Sequence, residues 1–179
     1  MKKIICILTI LVWTVAAFAQ GSLLKQTLEI VEVEINDGAT TLSVFNMPEN
    51  DRNQYFLSLG MVGIGDDFIQ LNLDPVSQLF IPLGDTLEEA QAKLEEFRAL
   101  AKQADGTSLE TTGYLAIGNP TTADPEPVYL NARRLLFSRN VEFSVQREGY
   151  IRATYVANSE LGSLLSGVKF YRKLHPNEP

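Results

Sequence analysis

Carboxylates are the side chains best placed for chemistry in this sequence. Asp66-Asp67, Asp74, Glu110, Asp124, Glu126 and Glu142 all fall on or beside segments patterned as strands. Two carboxylates at a set separation suffice for glycoside hydrolysis: one acts as acid and the other as nucleophile or base. Asp66, Asp67 and Asp74 also carry hard oxygens of the kind calcium takes, but calcium wants about six to eight oxygen ligands and no EF-hand spacing surrounds them. The plain reading of all seven acids is solvated turn and face residues. No catalytic residue is assigned from them, and no cofactor or metal site is expected.

The other reactive side chains are nearly absent. His175 is the only histidine and stands four residues from the carboxy end, before Pro176. A Ser-His-Asp mechanism needs an imidazole held rigidly by a third group, and one histidine excludes a zinc site built on two. The single cysteine, Cys6, lies in an apolar run at the amino end, so thiol chemistry is not expected of the folded part. Gly60-Met61-Val62-Gly63-Ile64-Gly65 looks like a phosphate loop, but its G-x-x-G-x-G spacing reverses the dinucleotide fingerprint and no helix pattern follows. It reads as a strand end leading into a turn. Tyr55, Tyr114, Tyr129, Tyr150, Tyr155 and Tyr171 could line a binding face or pack at the edge of the core. Around Tyr150–Tyr155 the twofold alternation puts Arg152 with Tyr150 and Ala153 with Tyr155, so one of these tyrosines should face solvent.

The elements that must position these groups follow from periodicity. Strands are expected at Leu28–Ile35, Thr41–Phe45, Gln54–Val62, Phe68–Leu73 and Gln78–Pro82, with turns at Asn36-Asp37-Gly38 and Gly63–Asp67. The period then changes. Thr86-Leu87-Glu88-Glu89 has the form of a capping box. Leu87, Ala90, Leu94, Phe97, Ala101 and Ala104 make one helical stripe, ended by Asp105-Gly106. Leu109–Gly118 should be a sixth strand, and Asn119–Pro127, with three prolines, an exposed loop. Val128–Phe137, Val141–Arg147 and Tyr150–Val156 should form a meander joined at Ser138-Arg139-Asn140 and Glu148-Gly149. Val141, Phe143 and Val145 alternate with Glu142, Ser144 and Gln146, so one face of that sheet should be wet. A final helix, capped by Asn158 or Ser159, carries Leu161, Leu164, Leu165, Val168 and Tyr171. The expectation is an α+β fold: a mostly antiparallel sheet of about eight or nine strands with two amphipathic helices, near 86–105 and 159–172. The two strand-then-helix halves raise the thought of a duplication, which residue similarity does not support.

Compartment is written at the amino end. Lys2-Lys3, an apolar run from Ile4 to Phe18 and Ala17-Phe18-Ala19 have the form of a cleavable secretory signal. The run is shorter than the about 20 residues a membrane span needs. Residues 1–19 are therefore expected to be a signal peptide, and 20–179 a single domain working in the periplasm or outside the cell, of bacterial style. Cleavage removes Cys6, so packing rather than disulfides must hold the domain. The chain carries 15 basic and 22 acidic side chains, net -7, and loss of Lys2 and Lys3 takes this two units further, to -9. Arg133-Arg134 is the only adjacent basic pair before the Tyr171-Arg172-Lys173 end. Nucleic-acid binding and attachment to anionic lipid are thus disfavoured, and no membrane span follows the signal. The expected function is an exported, non-enzymatic binding protein for a protein or glycan partner. Its alternatives are a carboxylate-dependent hydrolase of extracellular glycan, and an inhibitor or assembly factor for an envelope protein.

Overall fold

The computed structural model describes residues 34–37, 40–47, 52–64, 78–147 and 150–176. Strands β1 (Glu34–Asp37), β2 (Thr40–Met47), β3 (Arg52–Gly60), β4 (Val62–Ile64) and β5 (Gln78–Gly84) precede helix α1 (Leu87–Leu100). Strands β6 (Ser108–Ala116), β7 (Pro125–Leu135), β8 (Ser138–Arg147) and β9 (Tyr150–Ala157) precede helix α2 (Asn158–Leu174). All lie in one antiparallel sheet, ordered β1-β2-β3-β5-β6-β7-β8-β9-β4. The fold is α+β, and seven long strands form its body. Against the eight or nine strands expected, β1 and β4 are fragments of four and three residues.

The sheet must curl, and the chain shows why. β3 ends at Gly60 and β4 begins at Val62, two Cα steps away and so within about 7.6 Å. Yet β4 pairs with β9 at the far edge of the sheet. Laid flat, the six strand spacings from β3 to β4 would span about 29 Å. Only a curled, half-barrel sheet brings those ends together.

Both helices fill the concave side. Leu87, Ala90, Leu94, Phe97 and Leu100 of α1 and Leu161, Leu164, Leu165 and Val168 of α2 are buried against Leu57, Ile81, Leu130, Phe143 and Val156 of the sheet. Phe97 and Phe143 meet edge to face at 5.6 Å, an arrangement favoured by the ring quadrupoles. Cross-contacts run Glu88 with Arg172, Glu95 with Lys169 and Arg98 with Gly162, so the helices are antiparallel neighbours. The convex side differs along the sheet. On β2, β3, β5 and β6 it carries its own buried cluster of Phe45, Phe56, Phe80 and Ala116. On β7–β9 it is wet, with the alternation Val128, Leu130, Ala132 in and Tyr129, Asn131, Arg133 out.

Several boundaries differ from expectation. Asn36 and Asp37 belong to β1, paired with Thr41 and Thr40, where a turn was expected. Gly63 and Ile64 are strand, paired with Arg152 and Ile151, where a turn was expected; the ladder to β9 holds them extended. Leu28–Val33 and Phe68–Leu73, like the signal segment, lie outside the described residues. α1 stops at Leu100 rather than near Asp105, because Lys102 and Gln103 already bond back by three residues, to Ala99 and Leu100. Gly106, at φ +83°, then turns the chain so that its amide reaches Ala132. The expected loop Asn119–Pro127 is a short turn, Pro120–Thr122, followed by β7 from Pro125. Pro125 and Pro127 are tolerated because the β7–β8 ladder starts only at Tyr129, leaving that flank of β7 without a donor requirement. α2 begins at Asn158, with the Glu160 carboxylate accepting from the Ala157 amide at 2.7 Å in place of a side-chain cap from Asn158 or Ser159.

The β7–β8 turn is the largest shift. It sits at Leu136-Phe137, not at Ser138-Arg139-Asn140, with Leu135 opposite Ser138. Register explains this. The observed pairing sets Leu130 against Phe143 and Ala132 against Val141, all facing the core. A turn at Ser138–Asn140 would set Leu130 against Glu148 and Ala132 against Gln146. Core matching outweighs turn propensity here.

Candidate functional site

The wet face of β7–β9 gathers polar and aromatic side chains in cross-strand rows. Asn131, Glu142 and Tyr155 are direct partners across three strands, and Tyr129, Ser144 and Ala153 make the next row. Such rows place side chains about 4.5–5.5 Å apart at Cβ. The Glu142 carboxylate is their hub. It accepts from Asn131 Nδ2 at 2.9 Å, from Arg133 Nε and Nη2 at 3.2 Å each, and from the Tyr155 hydroxyl at 2.9 Å. Its side chain is 13% exposed and that of Arg133 is 39% exposed.

The electrostatics fix the protonation of this hub. Burial pushes the Glu142 carboxyl upward, but bonds from Arg133, Tyr155 and Asn131 outweigh it and hold the group below its usual range. The same bond to Glu142, then burial, raises the Tyr155 phenol above its usual range. Glu142 also raises the Arg133 guanidinium. The cluster is thus an ionised carboxylate clamped by three donors. It has no proton to give, and its lone pairs are engaged. Around it Tyr129, Tyr155 and Ile151 are partly exposed, at 39%, 41% and 47%, over the small residues Ser144 and Ala153.

The hairpin that carries two of these strands ends in three apolar residues. Leu135, Leu136 and Phe137 are 44%, 89% and 103% exposed. Leu136 has φ +51° and is, among the described residues, the only non-glycine residue with positive φ. Two-residue hairpin turns favour Asn, Asp or Gly at such positions. An exposed Leu-Phe pair in strained backbone gains nothing for the fold.

The remaining sequence candidates do not assemble. Glu110 faces Tyr129 across β6–β7, whereas Glu126 faces Gly113 three positions on, and the twofold alternation sends the two carboxylates to opposite faces. Both residues border a shallow hollow of ≈ 420 Å³ with Pro125 and Pro127, but their carboxylates form no facing pair. Asp124 is exposed just before β7. Asp66, Asp67 and Asp74 lie outside the described residues. His175 closes α2 with its ring stacked on Tyr171 at 4.1 Å, exposed to solvent. Of the tyrosines, Tyr55 is buried and Tyr114 packs beside Phe56. Tyr155 is partly exposed on the outer face of β9. No group of three potential metal ligands occurs among the described residues. None of their helices is long and apolar enough to cross a membrane.

Sequence reasoning put Glu142 among the carboxylates but missed Asn131 and Arg133 as its partners. A signal existed: both lie on the polar phase of β7, opposite the polar phase of β8. It needed the register to be read. Comparison with protein-family models, curated proteins and solved structures finds no match.

Proposed function

We propose that this chain is an exported, non-enzymatic binding protein that engages its partner through the wet face of β7–β9 and the Leu136-Phe137 tip. The observation that carries the reading is the tip, where two local rules are broken at once: positive φ on a β-carbon residue and full exposure of Leu and Phe. Backbone strain of this kind costs about 1–3 kcal/mol and collects at functional sites. Along the wet face that leads to the tip, Tyr129, Tyr155 and Arg133 belong to the residue types that dominate interface hot spots. Export rests on the form of residues 1–19. A hydrolytic role is less well supported, because Glu142 is held ionised and no second carboxylate among Glu110, Asp124 and Glu126 stands beside it. The partner this surface fits is a protein with an apolar socket for the tip and a polar rim for the Glu142 row.

The test is capture from the native envelope fraction by immobilised wild type and by Leu136→Asp and Phe137→Asp. Wild type should retain a protein above the bare support, and both variants should lose it while staying folded. Nothing retained above the support, or equal retention by the Asp variants, overturns the proposal.

A further inference from the structure

The opposite side of the molecule, where α1 lies along α2, concentrates positive charge in an acidic chain. Arg98 in the last turn of α1, Lys102 just beyond it and Lys169 of α2 line a hollow of ≈ 330 Å³, with Glu95 and Leu165 at its edge. A second hollow, ≈ 420 Å³, shares Lys169 and continues past Arg172, Lys173 and His175. Most of these cations are committed. Lys169 reaches Glu95 at 3.5 Å, and Arg172 reaches the Gln91 amide oxygen at 2.8 Å and Glu88 at 3.8 Å.

Arg98 is different. Its Nε is buried, out of reach of a ligand in the hollow, and has no hydrogen-bond partner among the described residues, so the donors it can offer there are its Nη groups. Its guanidinium lies over Gly162 of α2, where an added Cβ would stand 3.1 Å from Nη2. Glycine inside a helix is unfavourable by about 1 kcal/mol relative to alanine, and here it makes the seat for the guanidinium. A cation near the C-terminus of α1 also suits the helix dipole. That role would be met equally by a side chain extended into water, and it explains neither the burial nor the glycine. Guanidinium donors in a fixed fork match an oxyanion. The two lysines beside it suit the double charge of a phosphate better than the single charge of a carboxylate.

We propose that the groove between α1 and α2 is a binding site for a phosphate group, with Arg98 as its fixed donor and Lys102 and Lys169 as flanking cations. The site stands apart from the sheet face and does not depend on the function proposed for it. Glu95 competes for Lys169, so it opposes binding.

The test titrates the purified protein with inorganic phosphate by calorimetry, and separately measures flotation with phosphatidylglycerol and phosphatidylcholine vesicles. Binding to phosphate identifies a free anion as the ligand, and binding to phosphatidylglycerol but not phosphatidylcholine vesicles identifies a lipid headgroup. In either case Arg98→Gln should weaken binding on the order of tenfold or more, the loss of a charge-assisted hydrogen bond. Glu95→Gln should tighten it. Gly162→Ala should weaken binding while leaving thermal stability equal or higher, the opposite of what a damaged fold would give. Arg52→Gln, on a remote strand end, should leave binding unchanged. Failure of both probes to bind wild type, equal binding by Arg98→Gln and wild type, or equal weakening by Arg52→Gln, overturns the site.

Discussion

Replacing Glu142 by glutamine tests the central claim about the sheet face, that an ionised carboxylate ties three strands together. The amide keeps the size and one acceptor oxygen, so Asn131 and Tyr155 retain neutral partners. The charge is lost, and with it the charge-assisted part of the bonds from Arg133, Tyr155 and Asn131. A hydrogen bond to a charged group contributes about 1.5–3 kcal/mol and a neutral one about 0.5–1.5 kcal/mol. Because Arg133 is 39% exposed, water screens its share, and the sum should be about 1–2 kcal/mol. In a domain of this size that lowers the melting temperature by about 3–6 °C.

The pH dependence makes the test sharper. The folded carboxyl of Glu142 titrates below its ordinary value. Its contribution is therefore fully present above the unfolded value, about pH 4.3, and is lost as pH falls through the folded value. Urea unfolding of wild type and Glu142→Gln should differ most at neutral pH and converge in acid. Equal urea midpoints at pH 7, or a gap that persists unchanged at about pH 3, would refute the reasoning. A cycle with Arg133→Met should show coupling between the two sites.

Three further outcomes follow from the packing. Phe97→Ala empties a fully buried site against Phe143 and should cost about 3–5 kcal/mol in urea unfolding. Gly113→Ala places a Cβ 2.6 Å from Val128 Cγ2 and 3.0 Å from Leu79 Cδ1, so overpacking should cost about 1–3 kcal/mol, read as a lower melting temperature. Leu136→Gly relieves φ +51° and should raise stability by about 1 kcal/mol by calorimetry, while weakening the capture described above.

How much of this was legible in the sequence depends on the range of the interaction that decides each element. α1 was readable because its signals are local. The Thr86 hydroxyl accepts from the Glu89 amide at 3.2 Å, as the capping box implies, and the stripe Leu87, Ala90, Leu94, Phe97 is buried. Even there Glu89 reaches back to the Asp85 amide, one residue before the cap. The stripe of α2 was readable for the same reason. The wet phase of β8 was visible in its alternation. The turn at Leu136-Phe137 was not, because cross-strand matching of Leu130 with Phe143 fixes it against local preference. Nor was the step from β3 to β4, since a one-residue link from an inner strand to the far edge of a sheet has no local signature. The search for adjacent lysines and arginines touched the basic groove only at Arg172-Lys173 and passed over Arg98, Lys102 and Lys169. Arg98 and Lys102 stand four apart at the end of α1, Lys169, Arg172 and Lys173 lie on α2, and only antiparallel packing of α1 on α2 unites them.

The two halves of the curled sheet differ in how much of their surface is buried. Strands β2, β3 and β5 are buried on both sides, with Ser43 and Ser58 among the rings of the outer face. Their outer face is sealed by Phe45, Phe56 and Phe80, whose rings meet edge to face at 5.4–6.5 Å. A strand buried on both faces has no position free for a partner. Strands β7–β9 bury one face only, and the other carries Glu142, its three donors and the open hairpin tip. The helices seal the concave side and leave their own outer groove basic. The strained Leu136, the bare Phe137 and Arg98, whose buried Nε lacks a partner, all fall outside the doubly buried half. A protein selected for packing alone would place Asn-Gly at the hairpin tip and alanine at Gly162. That neither substitution is present is the physical argument for binding at both places.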